Sequence, residues 1–197
     1  IRNKSNIAII HVNGTIASGG DSDDLFFGNI SGANRVINNL RQAASSKIIK
    51  AIILRIDSPG GSAIASDIIL DAIEEAATKK PIIASIADYG ASGGYLIAVG
   101  ADSIIAQHNS LVGSIGVFAG KFNVKDLYQK LNLTNERIYR GKNAGLFSVI
   151  EPWSREEKTI ITRLISEYYT HFVEKVATSR NMQLERVKSV AQGRVWT

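Results

Sequence analysis

Two glycine turns, each set between an apolar run and a helical pattern, constrain the fold of this chain more than any other feature. Residues 51–56 lead into Asp57-Ser58-Pro59-Gly60-Gly61-Ser62, and residues 81–86 lead into Gly90-Ala91-Ser92-Gly93-Gly94-Tyr95. Short apolar runs bounded by turn residues are typical of buried strands. Repeated strand–helix units predict an α/β fold in which the turns after the strands lie at one edge of a sheet. We therefore expect the two glycine turns to face each other across a crevice.

The second turn places Ser92 at the start of a helix, where a serine can have either of two roles. Flanking glycines let the backbone turn tightly, and a helix N-terminus offers unpaired N–H groups to an anion. A nucleophilic serine needs such donors because its reaction creates an oxyanion. The alternative is that Ser92 only caps the helix and that the glycines allow close packing. This segment alone favours neither interpretation.

Taken in order, the motifs resemble those of the signal peptide peptidase A family, also called protease IV. The similarity rests on residues 55–61, 91–95, 111–117 and 191–197, and it extends from about Ile7 to Thr197. Each motif alone is weak, whereas the ordered set is specific. The resemblance implies the fold shared by the Clp protease subunit and the crotonases. It also implies a serine–lysine dyad that cleaves peptides within or beside membranes.

The resemblance assigns roles to four residues of this chain. Ser92 is the nucleophile, and the N–H groups of Gly61 and Gly93 form the oxyanion hole. Ser114 supplies the hydroxyl that orients the lysine. In single-domain members the lysine itself lies three residues after the glycine that matches Gly141, and that position is alanine here.

The general base is therefore the open question, since a serine hydroxyl is a poor nucleophile without a proton acceptor. Ala144 occupies the usual lysine position, and Lys142 is the nearest candidate. In an extended turn, a shift of two residues keeps the direction of the side chain but moves the amine by roughly 6 to 7 Å. A lysine also needs burial or a neighbouring cation to become neutral.

Three histidines are the other candidate bases. His108 follows Ser92 in the order of a Clp-like triad, in a predicted turn, and is the credible one of the three. His11 lies in an apolar strand and is interpreted as a core or edge residue, and His171 lies on a long helix. Because the motifs resemble those of members that use a serine–lysine dyad, a lysine is preferred to His108 as the general base.

Three explanations of Ala144 stay open. The chain is the carboxy-terminal half of a double-length member whose other half supplies the lysine, an engineered lysine-to-alanine variant, or an inactive homologue. The first is favoured because Arg-Gly-Lys-x-Ala and the later Gln-Gly-Arg-Val-Trp-Thr resemble that half in cyanobacterial and plastid members. Alone, such a half is expected to hydrolyse peptides poorly or not at all.

Length and composition predict one peptidase domain over residues 1–197. A chain of 197 residues with 45% hydrophobic residues can bury a substantial core. The absence of cysteine excludes disulfides and thiolate metal sites, and no His/Asp/Glu cluster has ligand spacing, so neither metal nor cofactor is predicted. The family normally continues past Val195-Trp196-Thr197, which implies truncation at the C-terminus.

Charge and hydropathy limit the kinds of partner that this chain is expected to bind. The formal charge of +5 comes from scattered basic residues without interleaved aromatics, which argues against nucleic-acid binding. There is no apolar run of the roughly 18 residues that a membrane span needs. The resemblance nevertheless implies a membrane anchor outside this chain, peptide substrates, and a homo-oligomeric ring or a paired homologous domain. It places the protein at a bacterial inner membrane facing the periplasm, or at a plastid thylakoid membrane.

Periodicity and capping residues predict the remaining elements. The apolar run over residues 7–12 predicts a first strand covered on both faces. Residues 17–29 predict an exposed loop, in which Phe26 and Phe27 are either ordinary packing or an apolar lip. Two helices are predicted to begin at caps supplied by Ser31 and Ser62. Strands are predicted over residues 103–106 and 136–139, and helices over residues 122–131 and 184–190. A further long helix is predicted with Ser154 as its cap and Glu157 in capping-box position.

Residues 112–118 are interpreted as a strand that contains Gly113, Ser114 and Gly116. Glycine inside a strand often marks a close approach of two backbones. A substrate peptide could bind there by strand addition, provided that Gly113 and Gly116 lie close to Ser92.

Three functions are compatible with these features. The first is a serine endopeptidase domain acting on small apolar or membrane-associated peptides. The second is an inactive ring-forming or peptide-binding scaffold, which the missing lysine motivates. The third is a crotonase-like acyl-thioester enzyme. Carboxylates are sparse around the two glycine turns apart from Asp57 and Asp88, which argues against the third.

Overall fold

A computed structural model describes residues 6–24 and 28–197 of the chain. Phe26 and Phe27 lie outside the described residues. The chain divides into two compact units, one comprising Ile1–Gly116 with Tyr169–Thr197 and the other comprising Val117–Tyr168. None of the described helices combines the length and apolar character that crossing a bilayer requires.

The secondary structure follows the predicted alternation of strands and helices. In chain order the elements are β1 Ile7–Asn13, β2 Thr15–Ala17, β3 Ser22–Asp24, β4 Gly28–Gly32, α1 Ala33–Ser45, β5 Ala51–Ser58, α2 Ala63–Ala77, β6 Ile82–Ala91, α3 Gly93–Ala98, β7 Ser103–Ile105, β8 Leu111–Gly113, α4 Lys125–Lys130, α5 Arg155–Ser179, α6 Leu184–Val190 and β9 Val195–Trp196. The α/β class is confirmed.

The main sheet has the strand order β1-β5-β6-β8-β9, with β7 also paired to β6. All of its pairings are parallel except that of β8 with β9. Parallel neighbours need a crossover connection, and α1 and α2 lie in the chain between β1, β5 and β6. The turns after β5 and β6 consequently come to the same edge of the sheet.

Only one face of this sheet carries the core within the first unit. Even-numbered residues of the strands pack against α1, α2 and α3 and are almost inaccessible, namely Ile10, Val12, Ile52, Leu54, Ile56, Ile82, Ala84 and Ile86. Odd-numbered residues point the other way, and Ile9 is 58% exposed. The predicted covering of β1 on both faces is therefore wrong, because β1 is an edge strand and its helices pack on one side of it only.

The segment before α1 also differs from prediction. Residues 17–29 were expected as a loop, but β2, β3 and β4 pair there as a small second sheet. Ser31 does not cap α1, whose N-cap position is Gly32 without a side-chain bond. The Ser31 hydroxyl instead donates to the carbonyl of Asn13 at 2.8 Å and accepts its N–H at 2.9 Å, which ties β4 to β1.

Two other caps are confirmed. Ser62 Oγ accepts the Ala65 N–H at 3.2 Å at the start of α2. In the second unit, the Ser154 N–H donates to Glu157 Oε2 at 2.8 Å and the Glu157 N–H donates to Ser154 Oγ at 3.1 Å, which is a complete capping box. The hydrogen bond from the Ser154 N–H holds the pKa of Glu157 below its ordinary value.

The second unit contains less regular structure than its periodicity suggests. The helix predicted over residues 122–131 is limited to α4, and residues 136–139 form no strand. In this segment Arg137 Nη1 pairs with Glu151 Oε1 at 2.7 Å. Residues 136–139 have no described partner strand within this unit.

Lys80 stabilises the end of α1, and its removal is expected to lower the free energy of unfolding by about 2 kcal/mol. Its ammonium group donates to the carbonyl of Ala43 at 2.7 Å and also to that of Ser46. Lys80→Met keeps the apolar stem but leaves these carbonyls without the cation. The neighbouring Lys79 only forms an exposed pair with Glu75, so Lys79→Met is the matched control. Urea denaturation of both variants tests this, and an equal loss in both would contradict it.

Candidate active site

Ser92 occupies a strained turn between β6 and α3. Its φ is 51° and its ψ is −122°, a conformation that residues other than glycine seldom adopt. The backbone is held on both sides, because the Ser92 N–H donates to the carbonyl of Gly113 at 2.8 Å and the Ser92 carbonyl accepts the N–H groups of Tyr95 and Leu96 at 2.9 Å. The side chain makes no capping bond to α3. The interpretation of Ser92 as a helix cap is therefore wrong, and its hydroxyl is not used by the helix.

The turn after β5 packs directly against the Ser92 turn. A methyl group added to Gly60 would lie 2.8 Å from the nitrogen of Gly93 and 2.8 Å from Cβ of Ser92. A methyl group on Gly93 would lie 3.5 Å from the nitrogen of Gly61. The prediction that the two glycine turns face each other is confirmed. Only a hydrogen side chain at Gly60 allows this approach, whereas Gly93 is kept small by Ser66, whose Oγ would lie 2.2 Å from an added methyl group.

Two backbone donors remain unused at this junction. In the part of the chain that the structure describes, neither the Gly61 N–H nor the Gly93 N–H donates a hydrogen bond. Their neighbours are bonded, since the Ser62 N–H donates to the carbonyl of Ile16 at 2.8 Å and the Ile16 N–H donates to that of Gly60 at 2.9 Å. Pre-oriented donors beside a hydroxyl suit an oxygen that acquires negative charge.

Ser58 positions the first turn, a role that the sequence did not reveal. Its side chain is fully buried, and its Oγ donates to the carbonyl of Gly14 at 2.6 Å and accepts the Gly60 N–H at 3.1 Å. These bonds fix the backbone of Gly60 where it meets Gly93. The signal was present in Ser58-Pro59-Gly60, because serine hydroxyls commonly bond the backbone two residues ahead in turns.

The strand that follows is shorter than predicted. Gly113 has a φ of 90° and Ser114 a φ of 50°, which ends β8 after Gly113. Gly113 does lie beside Ser92, as their backbone bond shows. Ser114 is half-buried, and its N–H donates to the carbonyl of Arg194 at 2.7 Å. Ser114 follows Gly113 in the chain and so comes near Ser92 with it, while its action on a lysine stays a prediction.

Strand addition to residues 112–115 is excluded by the chain itself. β9 pairs antiparallel with β8, with Val112 opposite Trp196 and Gly113 opposite Val195. The Gly193 N–H extends this contact by donating to the carbonyl of Ile115 at 2.9 Å. The edge that was expected to receive a peptide is already occupied.

Lys142 and Ala144 lie in the second unit. Residues 142–147 form a turn, in which the Ala144 N–H donates to the carbonyl of Gly141 at 3.3 Å. The Lys142 side chain is 80% exposed, with Nζ 3.1 Å from Glu156 Oε2. Within its unit, Lys142 therefore lacks the buried or cation-flanked setting that a catalytic lysine requires. Its role as the base stays a prediction.

The other titratable candidates have clear surroundings. His11 lies on the exposed side of edge strand β1, and His171 Nε2 lies 2.7 Å from Asp67 Oδ1. His108 lies in the predicted turn, is exposed, and makes no hydrogen bond among the described residues. Burial raises the pKa of Tyr95, so its phenol stays neutral at physiological pH. The described residues contain no group of three His, Cys, Asp or Glu side chains that could hold a metal ion.

Comparison with known proteins places these features in context. The family model described as Peptidase family S49 matches residues 74–197, and that described as Clp protease matches residues 28–112. The chain is 43% identical over 166 residues to "Serine protease SPPA, chloroplastic" of Arabidopsis thaliana, covering 84% of the chain and 24% of that protein. It is 35% identical to "Protease 4" of Haemophilus influenzae, over 96% of the chain and 30% of that protein. It is 34% identical to "Putative signal peptide peptidase SppA" of Enterococcus faecium, over 96% and 55% respectively. The chain thus spans between about a quarter and about half of the length of these relatives.

Proposed function

Because the chain belongs to peptidase family S49, we propose that it is the serine-bearing domain of an endopeptidase that cleaves membrane-associated or small apolar peptides, such as signal-peptide remnants. The observation that carries this proposal is the junction of the two glycine turns. There, the unbonded hydroxyl of Ser92 lies on a strained turn beside the unused N–H groups of Gly61 and Gly93.

The chemistry is acyl transfer through Ser92. Its Oγ attacks the scissile carbonyl carbon while a base takes the hydroxyl proton, and the carbonyl oxygen becomes an oxyanion that the N–H groups of Gly61 and Gly93 stabilise. The protonated base then donates this proton to the leaving amine, and the C–N bond breaks. Water hydrolyses the resulting ester and regenerates the serine. Ser114 positions the base in this scheme.

The base is a lysine from an adjoining homologous domain. Two observations support this part of the proposal: Ala144 stands at the position where the resemblance expects lysine, and Lys142 is exposed and paired with Glu156. The difference in length between this chain and its relatives leaves room for such a domain in the whole protein. The site is then completed only when two domains associate.

The membrane setting belongs to the same proposal. In this proposal the domain works at a bacterial inner membrane, facing the periplasm, or at a thylakoid membrane. What supports a membrane or plastid setting is the names of two relatives, one of which refers to signal peptides and the other to the chloroplast. An apolar substrate released within a bilayer would reach the site from that membrane.

Covalent labelling tests the chemistry. The full chain, Ser92→Ala and the exposed-serine control Ser45→Ala are treated with a fluorophosphonate from pH 6 to pH 10, and the labelled fraction is read by mass spectrometry. We expect little labelling of the chain alone, and Ser92-dependent labelling that rises with pH once the homologous amino-terminal half is added.

Two results would contradict parts of this scheme. Rapid Ser92-dependent labelling of the chain alone would show that it already holds a base, and Lys142→Ala and His108→Ala would then identify it. Absence of labelling in a folded sample even with the second half present would contradict the enzymatic proposal and favour the peptide-binding scaffold.

A further inference from the structure

Ser66 is a fully buried serine in the first half of α2. The other buried residues of this helix are alanine, isoleucine and leucine. Ser66 Oγ donates to the carbonyl of Ser62 at 2.9 Å, and the same carbonyl already accepts the Ser66 N–H at 2.9 Å. A hydroxyl bonded in this way slightly destabilises a helix. The helix therefore does not need this hydroxyl, and its use lies outside α2.

The Ser66 hydroxyl lies directly against Gly93, the first residue of α3. A methyl carbon added to Gly93 would stand about 1.5 Å from its Cα and 2.2 Å from Ser66 Oγ. Oγ is therefore at most about 3.7 Å from the Cα of Gly93, which is contact distance. The same methyl carbon would lie 3.1 Å from Ser66 Cβ, so the hydroxyl oxygen is the atom that forms the contact.

The bond to Ser62 fixes the position of this oxygen. A serine side chain has three staggered rotamers, and only some of them bring Oγ to the carbonyl four residues earlier. The acceptor is held as well, because the Ser62 N–H donates to the carbonyl of Ile16 at 2.8 Å. Ser62 directly follows Gly61 in the chain. One fixed hydroxyl thus connects the residue after Gly61 with Gly93.

The backbone of Gly93 is enclosed on two sides. Gly60 approaches its nitrogen, since a methyl group on Gly60 would lie 2.8 Å from that atom. Ser66 Oγ contacts its Cα. The next residue is also held, because a methyl group on Gly94 would lie 2.6 Å from the carbonyl oxygen of Ser58. The direction of the Gly93 N–H depends on these contacts, since rotation of the peptide moves the nitrogen or the Cα against one of them.

We propose that Ser66 is a positioning residue for the two oxyanion donors, an inference that rests on the proposed function. Its hydroxyl sets the separation at which the N–H groups of Gly61 and Gly93 reach the same oxygen. Without Oγ, Gly93 settles toward α2 and its N–H turns away from that oxygen. Ser66 contacts no reacting atom in this scheme and acts only through Gly93. Such an effect is large enough to measure, because a misplacement of about 1 Å can lower a rate about a hundredfold.

Saturation kinetics of fluorophosphonate labelling test this role. The full chain is labelled in the presence of the homologous amino-terminal half, which gives the maximal rate constant kinact and the half-saturating concentration KI. Ser66→Ala is expected to lower kinact about tenfold and to leave KI within about twofold, because the donors bind the phosphonyl oxygen most strongly as the new bond forms. Ser66→Thr keeps a hydroxyl that can bond to the same carbonyl, so it should restore most of kinact. A merely structural role would not produce this division between kinact and KI.

Ser166→Ala is the matched control. Ser166 Oγ donates to the carbonyl of Thr162 at 3.0 Å, which is the same bond within a helix, but Ser166 is exposed and lies in the second unit. We expect this variant to retain the kinact of the wild type. Circular dichroism establishes that Ser66→Ala is folded, as expected because alanine favours helices more than serine does. A wild-type kinact in Ser66→Ala would overturn the proposal, and so would a kinact of folded Ser66→Thr as low as that of Ser66→Ala.

A second measurement separates this inference from the proposed chemistry. The N–H residual dipolar coupling of Gly93, measured on the chain alone, reports the orientation of that bond. We expect the coupling to change in Ser66→Ala, to return toward the wild-type value in Ser66→Thr and to stay the same in Ser166→Ala. An unchanged coupling in Ser66→Ala would overturn the proposal. A changed coupling in a protein whose wild type is not labelled, even with the second half present, would show that the proposed function has failed while Ser66 still orients the Gly93 N–H.

Discussion

Ile82→Ala is expected to lower the free energy of unfolding by about 3 to 4 kcal/mol, because it empties a closed part of the core. Ile82 is fully buried in β6, on the face that packs against the helices. The substitution removes three carbons from a site whose neighbours are held by strand pairing on both sides, so the cavity cannot collapse readily. Urea denaturation at a protein concentration low enough to keep the chain monomeric measures the change.

Ile83 provides the matched control, since it is the same residue type at the next position of the same strand. Its side chain is 39% exposed on the opposite face of the sheet, where replacement by alanine leaves no closed cavity. We expect Ile83→Ala to lower the free energy of unfolding by about 1 kcal/mol or less under the same conditions. Equal losses at both positions would contradict the assignment of one buried and one open face.

Gly60→Ala is expected to lower the free energy of unfolding by about 3 kcal/mol, through a clash and an unfavourable backbone conformation together. Gly60 has a φ of +102°, and an added methyl group would lie 2.8 Å from both Gly93 N and Ser92 Cβ. These neighbours belong to the backbone or lie next to it, so they can move only if the two turns separate. Thermal and urea denaturation measure the loss.

Gly141→Ala separates the two contributions. Gly141 has a φ of +101°, almost that of Gly60, yet no heavy atom lies within 4 Å of the position of an added methyl group. Gly141→Ala should lower the free energy of unfolding by about 1 kcal/mol, through the unfavourable backbone conformation alone. The excess loss at Gly60 then reports the packing of the two turns. A loss at Gly60 no larger than at Gly141 would show that the turns are not in contact.

The same variant bears on the chemistry. Separation of the turns moves the N–H of Gly61 away from Ser92, so any labelling of Ser92 supported by the second half should fall in Gly60→Ala. Gly141→Ala is remote in sequence from both turns and should leave a folded first unit. Comparing labelling per folded molecule removes the effect of stability.

Local patterns predicted most elements well, because they depend on neighbouring residues. Helix α6 over Leu184–Val190, the Ser62 cap and the capping box of Ser154 with Glu157 were all readable from spacing alone. The segment over residues 136–139 ends in Ile138 and Tyr139, two residue types that favour strands, but forms no strand. Residue types of this kind make a strand possible, whereas a strand forms only where a partner backbone is available for hydrogen bonds.

The candidate site was predictable in its parts and not in its surroundings. The roles of Ser92, Gly61 and Gly93 were assigned through the family resemblance, because the glycine turns by themselves left Ser92 open between a nucleophile and a helix cap. The buried bonds of Ser58 were missed, since a serine in a turn is common and its burial is not visible in sequence. The role of Ser31 was also missed, because it bonds Asn13 instead of capping α1 and this contact spans 18 positions of the chain.

The sequence alone determined the strand–turn–helix units, because those follow from composition and spacing within short windows. Tertiary structure decided which backbones meet. It brought Gly60 within reach of Gly93, placed β9 on the edge where a peptide was expected, and left one face of the sheet open. Each of these outcomes depends on strand order and register between distant segments, and no local pattern encodes them.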